Sequence, residues 1–409
     1  MSDPQAHVVI LGAGHAGGTC AALLRQYGHP GPITLIGEEP LPPYQRPPLS
    51  KAWLKGEADA DALALKPLEF YAEHQIDFRS GVRAESLERS ARLVHLSDGA
   101  SVPYDALVIA TGARAIALPL PGADLPGVMF LRTAADAEQL KATIGPGKTL
   151  AVVGGGYIGL EVAASGRALG AEVVVLEREN RLLARVACEA LSTFFRDYHE
   201  ARGVRFELGC EVVAFEGSRQ VSGVKLSDAR ILPCDAVVVG VGAHPNDEIA
   251  RDAGLDCARG VVVDLAARSV SDPAIFAIGD VAHRPMPIYD RMFRMESVPN
   301  ALEQAKQAAC AITGRPAPPG ETPWQWSDQY DLKLQIAGYA FDVDEIILRG
   351  DPKSAKFAVF HLKGDKLQSV EAINSPPEFM MGKQLILNRK PVDKAKLADP
   401  TVSMKEVAA

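Results

Sequence analysis

Gly12, Gly14 and Gly17 stand in G-x-G-x-x-G spacing directly after the apolar run Val8-Val9-Ile10-Leu11, and Glu38 follows 24 positions after the middle glycine. Gly154, Gly156 and Gly159 repeat the spacing after Ala151-Val152-Val153, with Tyr157 and Ile158 between the last two glycines and Glu177 21 positions past Gly156. Each residue type has a physical reason to be there. The first glycine permits a tight turn, the second lets backbone approach a pyrophosphate, and the third lets a helix pack close to a strand. A helix N-terminus then offers free N–H groups to the phosphates, and an acid roughly 20 positions on accepts from ribose hydroxyls. The chemistry is dinucleotide binding, and it occurs twice.

The elements that must position these residues are legible around them. Strands are expected at Val8–Leu11, Ile33–Ile36, Ala151–Val153 and Val173–Leu176, with helices over Thr19–Tyr27 and Leu160–Leu169. The run Tyr104 to Gly112, ending in Ala110-Thr111-Gly112, is echoed by Cys234 to Gly242, so fingerprint and closing strand recur in the same order. Ser271 to Asp280 reads as a strand with no counterpart in the second unit. The simplest topology nests the second unit inside the first, with the chain returning near Asp280 to finish the first sheet. Pro40 to Lys51 is proline-dense and reads as a stiff loop. Pro316 to Gly320 reads as a linker to a third region of short strands and a helical tail. The expected fold class is α/β, with two nested Rossmann-like dinucleotide-binding domains plus a small α+β C-terminal domain. The expected domains are 1–115 with 245–320, then 116–244, then 321–409.

Composition narrows the function. The chain has 409 residues, 47% hydrophobic and 23% charged, as expected for a globular protein of two or three domains. Its 43 Lys and Arg against 51 Asp and Glu give a net charge of −8, which argues against a nucleic-acid partner. No apolar run approaches membrane-spanning length, and the first strand begins almost at the first Met, so a cytoplasmic protein without a signal peptide is expected. The six cysteines are scattered singly, with no metal-ligand spacing, so reduced thiols and no metal are expected. Cys20 falls in the first helix, where a small core residue is expected.

Two dinucleotide sites on one chain point to electron transfer between two cofactors, one of them a flavin. The fingerprints, the Pro43-to-Lys51 loop, Ala110-Thr111-Gly112, Ile278-Gly279-Asp280, Glu296 to Gln304 and Trp324-Gln325-Trp326-Ser327-Asp328-Gln329 together resemble the putidaredoxin reductase and rubredoxin reductase family. The resemblance implies an FAD-dependent, NADH-oxidising reductase that feeds single electrons to a 2Fe–2S ferredoxin or a rubredoxin. That carrier would in turn serve a cytochrome P-450 monooxygenase or a ring-hydroxylating dioxygenase.

The resemblance also implies roles by position. Gly12, Gly14, Ala16 and Gly17 belong to the FAD pyrophosphate turn, Glu38 to the adenosine ribose and Val82 to the adenine. Ala110, Thr111 and Gly112 complete that site, with Arg132 at the FAD phosphates or nearby backbone, Asp280 at the ribityl hydroxyls and Val298 by the flavin ring. Gly154, Gly156, Tyr157, Ile158, Gly159, Glu177, Arg185 and Gly242 make the NAD site, and Glu177 implies NADH over NADPH. Arg178 beside it complicates that preference. Lys51 corresponds to the lysine near the flavin N5, and Glu161 either holds the nicotinamide carboxamide or pairs with Lys51. Trp326 reaches the flavin and the docking face. Lys306 and Lys333 are candidates for a docking patch, residues 300–409 holding 14 basic and 14 acidic residues. His15 and His244 receive no catalytic role. The Pro40-to-Lys51 loop has no cysteine, so electrons are expected to leave the flavin directly. Two other readings share these motifs: a monodehydroascorbate-type or quinone reductase, and a flavin-bearing NADH sensor of the apoptosis-inducing-factor kind.

Overall fold

A computed structural model describes residues 5–408. Val8–Leu11 (β1) is buried throughout and leads into a helix, His15–Gln26 (α1), which returns the chain to Ile33–Gly37 (β2). Ile76–Ser80 (β3) and Ala106–Ile109 (β4) follow. β1 is flanked by parallel partners on both edges, β2 and β4, with helices on the sheet. A strand covered in this way has no solvent face, so its residues are apolar without alternation.

Beyond β4, Ala113–Ala115 (β5) leaves the sheet. A second unit then runs through Val128–Met129 (β6), Thr149–Val153 (β7), the helix Tyr157–Ala168 (α2), Glu172–Glu177 (β8), the helix Glu189–Glu200 (α3), Val204–Leu208 (β9) and Ala236–Val239 (β10). The chain comes back as Ala243–Pro245 (β11), antiparallel to β5, so the outgoing and returning segments form one ribbon. Ile275–Ala277 (β12) then adds to β4 and completes the first sheet.

The two parallel sheets have orders β12-β4-β1-β2-β3 and β6-β10-β7-β8-β9. They correspond strand for strand, and this corrects one expectation. The run around Ile275 does have a counterpart: β6 occupies the same place beside β10. It comes before the second fingerprint rather than after it, and it is two residues long, too short to show as an apolar run. Both helices also begin earlier than expected, at His15 and Tyr157, with Gly14 and Gly156 as extended N-caps. Glycines in the first helical turn disguise the helix start in the sequence.

The C-terminal region is a five-stranded antiparallel sheet: Trp324–Gln329 (β13), Leu332–Gly338 (β14), Glu345–Asp351 (β15), Lys356–Lys363 (β16) and Lys366–Ile373 (β17), in the order β13-β14-β17-β16-β15. Its strands are longer than the short ones expected. One face packs with Phe379 and Ile386 of its own helix, Pro376–Asn388. The other face sends Leu334, Ile336, Phe357 and Val359 into a core shared with Leu160, Val162 and Phe195 of the second unit. Tyr44 and Leu49 of the proline loop enter the same core. This shared packing draws the loop, α2 and β13 to one place.

Candidate active site

The two glycine turns match in atomic detail. Gly12 has φ +109°, and a Cβ there would lie 2.2 Å from the Ala110 carbonyl oxygen; a Cβ on Gly17 would lie 1.9 Å from that of Gly12. In the second turn, Gly154 and Gly159 are closed off in the same way by the carbonyls of Gly240 and Gly154. The middle glycines, Gly14 and Gly156, have nothing within 4 Å of a Cβ position. They leave open space where a pyrophosphate would approach, so the cradle fits the group that the fingerprint demands.

One cavity of about 1660 Å³ joins the turns. That exceeds the roughly 300–1,000 Å³ of a single small-ligand pocket, as room for two dinucleotides would require. From the first set of expected residues it is lined by Gly12, Gly14, Ala16, Glu38, Val82, Ala110, Thr111, Gly112, Arg132, Asp280 and Val298. From the second set it takes Gly156, Tyr157, Ile158, Gly159, Glu161, Glu177, Arg185 and Gly242, and Lys51 and Trp326 line it too. Gly17 and Gly154 do not; their place is in the strand–helix packing just described.

Within this lining, Lys51 Nζ lies 2.6 Å from Glu161 Oε2. Of the two contacts expected for Glu161, the one with Lys51 is formed. The carboxylate is 5% exposed and is surrounded by donors. Ser50 Oγ donates to Oε2 at 2.5 Å, and Ser327 Oγ donates to Oε1 at 2.7 Å. Ser165 Oγ in turn donates to the Ser50 carbonyl at 2.7 Å. Behind Ser327, Gln329 Nε2 donates to its hydroxyl at 3.1 Å, and Gln329 Oε1 lies 2.8 Å from His199 Nε2. Burial pushes His199 down to about 4, so the ring is neutral, and the amide oxygen assigns the proton to Nε2. Every donor in the chain His199–Gln329–Ser327 therefore points toward Glu161.

The family pattern described as pyridine nucleotide-disulphide oxidoreductase matches residues 6–305, and that described as reductase C-terminal matches residues 324–408. A probable ferredoxin reductase from Castellaniella defragrans is 53% identical over 98% of each chain. Putidaredoxin reductase from Pseudomonas putida is 40% identical over 98% of this chain and 97% of its own. The chain belongs to the ferredoxin reductase family. The crystal structure of a covalent putidaredoxin reductase–putidaredoxin complex matches this reductase with a TM-score of 0.96 at 39% identity, covering 99% of this chain and 98% of that one.

In the reductase, Arg132 and Asp280, expected at separate parts of the FAD, also meet each other at 2.9 Å. Arg46 donates to the Arg132 carbonyl and to Glu39 Oε1 at 2.7 Å, tying the proline loop to this corner. Gln304 Oε1 accepts from the Gly279 amide at 2.6 Å and sets the turn that presents Asp280. Glu177 is braced by the amides of Gly155 at 2.7 Å and Glu179 at 2.9 Å. Arg178 is largely exposed, pairs among the described residues with Glu179 alone, and does not line the cavity.

Trp324 packs with Phe379 in the C-terminal core, whereas Trp326, 5.5 Å from it between ring centroids, faces the cavity. His15 lines the cavity, and His244 does not. Burial beside Arg46 pushes His15 down to about 4, and His244 Nδ1 contacts the Pro245 carbonyl. Lys306 and Lys333 are exposed and lie outside the cavity lining. None of the six cysteines lines the cavity either, and burial pushes Cys20 up to about 12. Arg46, Ser50, Ser165, Ser327, Gln329 and His199 were not singled out as site residues in the sequence. Ser50 and Ser327 lie beside expected ones in the Pro-Pro-Leu-Ser-Lys and Trp-Ser-Asp-Gln runs; for His199 the sequence carries no signal.

Proposed function

We propose that this reductase takes hydride from NADH onto FAD and passes the electrons singly to a 2Fe–2S ferredoxin or a rubredoxin, which serves a cytochrome P-450 monooxygenase or a ring-hydroxylating dioxygenase. The observation that carries this reading is one cavity that joins both fingerprints, with the Lys51–Glu161 pair in its lining and, among the described residues, no thiol there. FAD, when bound, supplies the two-electron to one-electron conversion.

The chain's own residues do the positioning. Gly14 and Gly156 leave room for the two pyrophosphates, and α1 and α2 direct their N-terminal amides there. Glu38 and Glu177 accept from ribose hydroxyls, and the carboxylate of Glu177 repels a 2′-phosphate. Asp280 and Arg132 serve the ribityl and phosphate portions of FAD. Lys51 brings a cation to the flavin, where positive charge favours the electron-rich form. Glu161 fixes that ammonium in place, and Trp326 stands at the edge through which electrons leave. On this reading residues 1–115 with 245–320 hold FAD, 116–244 hold NADH, and 321–409 face the partner. Among the described residues no helix is long and apolar enough to cross a membrane; a cytoplasmic location completes the proposal.

Turnover with NADH tests it. Reduction of a purified 2Fe–2S ferredoxin should saturate at micromolar concentrations and outpace reduction of a quinone by at least about tenfold in kcat/KM. Quinone or monodehydroascorbate reduction with an inert ferredoxin would replace the proposal with the small-acceptor reading.

A further inference from the structure

Cys188, His361 and Glu371 come from distant parts of the chain and meet where α3 abuts the C-terminal sheet. Cys188 is the N-cap of α3. On β16 the residues Phe357, Val359 and His361 alternate, and on β17 Ile373 and Glu371 do, with Val359 opposite Glu371. These positions share the face that packs on the second unit, where Phe357, Val359 and Ile373 join the common apolar core. An imidazole and a carboxylate therefore sit beside these apolar side chains, each 3% exposed.

Their partners are incomplete. Among the described residues, Glu371 forms no ion pair with a lysine or arginine; the nearest basic group is His361 Nε2, 3.2 Å from Oε2. The two atoms lack hydrogen-bond alignment, and Nε2 has no hydrogen-bond partner among the described residues. The Cys188 amide approaches the same carboxylate at 3.5 Å. The thiol, imidazole and carboxylate donor atoms all lie within 4.8 Å of one another.

We propose that Cys188, His361 and Glu371 bind a divalent transition-metal ion of the zinc class. In a tetrahedral site with bonds of roughly 2.0–2.1 Å, nitrogen and oxygen ligands stand about 3.3 Å apart, and a sulfur ligand stands somewhat farther away. The separation of His361 Nε2 and Glu371 Oε2 matches that spacing. A sulfur, nitrogen and oxygen set suits zinc and disfavours magnesium and calcium, which take oxygen ligands. Binding forms a metal–sulfur bond and releases the thiol proton to solvent, with no change of oxidation state. Thiolate and carboxylate then balance the dication, and a fourth position remains for water. The segment entering Cys188 carries Leu183, Ala184, Arg185 and Val186, which line the cavity, and the Val186 carbonyl accepts from Tyr157 Oη at 3.2 Å. Metal at Cys188 would tie that segment to the C-terminal sheet.

The site is independent of the electron acceptor and is tested on the FAD-loaded, chelator-treated protein. Titration with Co²⁺ should give one equivalent per chain, a thiolate charge-transfer band in the near ultraviolet, and d–d bands to the red of the flavin. Zn²⁺ should displace it. Cys188→Ser should abolish the charge-transfer band, and His361→Gln should weaken binding at least about tenfold. Should either variant fail to retain FAD, the unaltered protein still decides: Zn²⁺ should slow alkylation of Cys188, read by peptide mass, at least about tenfold. Binding well below one equivalent, affinity unchanged in both variants, or alkylation indifferent to Zn²⁺ would overturn the site.

Discussion

The Ser327 hydroxyl donates to Glu161 Oε1 at 2.7 Å, so the carboxylate that holds Lys51 is itself held from the C-terminal sheet. The three regions of the chain meet in that contact: Lys51 from the proline loop, Glu161 from α2 and Ser327 from β13. Ser327→Ala leaves Oε1 buried with no donor. We expect a loss of about 1–3 kcal/mol in stability and a several-fold fall in the rate of flavin reduction, with KM for NADH nearly unchanged. Thermal unfolding and stopped-flow bleaching measure the two effects.

Removing the cation is more severe. In Lys51→Met the buried Glu161 keeps its hydroxyl donors and loses its counter-charge, at a cost of about 3 kcal/mol. Flavin reduction by NADH should slow at least about tenfold while FAD stays bound, a combination that separates loss of the ammonium from loss of fold.

The glycine turns make a paired prediction. A Cβ on Gly17 would collide with the Gly12 carbonyl, whereas one on Gly14 meets nothing. Gly17→Ala should destabilise the apoprotein by about 3 kcal/mol or more. Gly14→Ala should leave apoprotein unfolding within about 0.5 kcal/mol of the parent and act on FAD retention alone. Denaturant unfolding of both apoproteins, beside FAD retention on gel filtration, reads the difference.

Glu177 is braced by two amides, and Arg178 lies outside the cavity lining, so the native kcat/KM should favour NADH over NADPH by at least about tenfold. Glu177→Gln should narrow that ratio by removing the charge that repels the 2′-phosphate. Steady-state kinetics with both nucleotides gives the answer directly.

His199 supplies a pH signature. Its folded-state value is pushed down to about 4, against about 6.5 in an unfolded chain. The unfolded state binds the extra proton between those values, so stability present above pH 6.5 is lost as the pH falls toward 4. The contribution is roughly 3 kcal/mol. His199→Gln, whose amide still donates toward Gln329, should flatten the dependence of unfolding free energy on pH across that window.

What could be read without a structure was what short-range sterics dictate. Gly12 beside Ala110 and Gly154 beside Gly240 are forced by backbone contact, and a strand covered on both faces must be apolar, so both fingerprints, the nesting and the return strand near Asp280 were visible in one dimension. The two-residue β6, the helix starts at His15 and Tyr157, and the full length of the C-terminal strands were not, because each depends on hydrogen bonds to a distant partner. The Lys51–Glu161 pair was one of two alternatives that family resemblance offered for Glu161, and packing brings its two residues together. Its residues are 110 positions apart, Glu161 and Ser327 are 166 apart, and His199 meets Gln329 across 130. Local spacing carries no information over such separations. They converge because one face of the C-terminal sheet must bury its apolar side chains against α2 and α3, and that burial decides which polar groups are left facing one another.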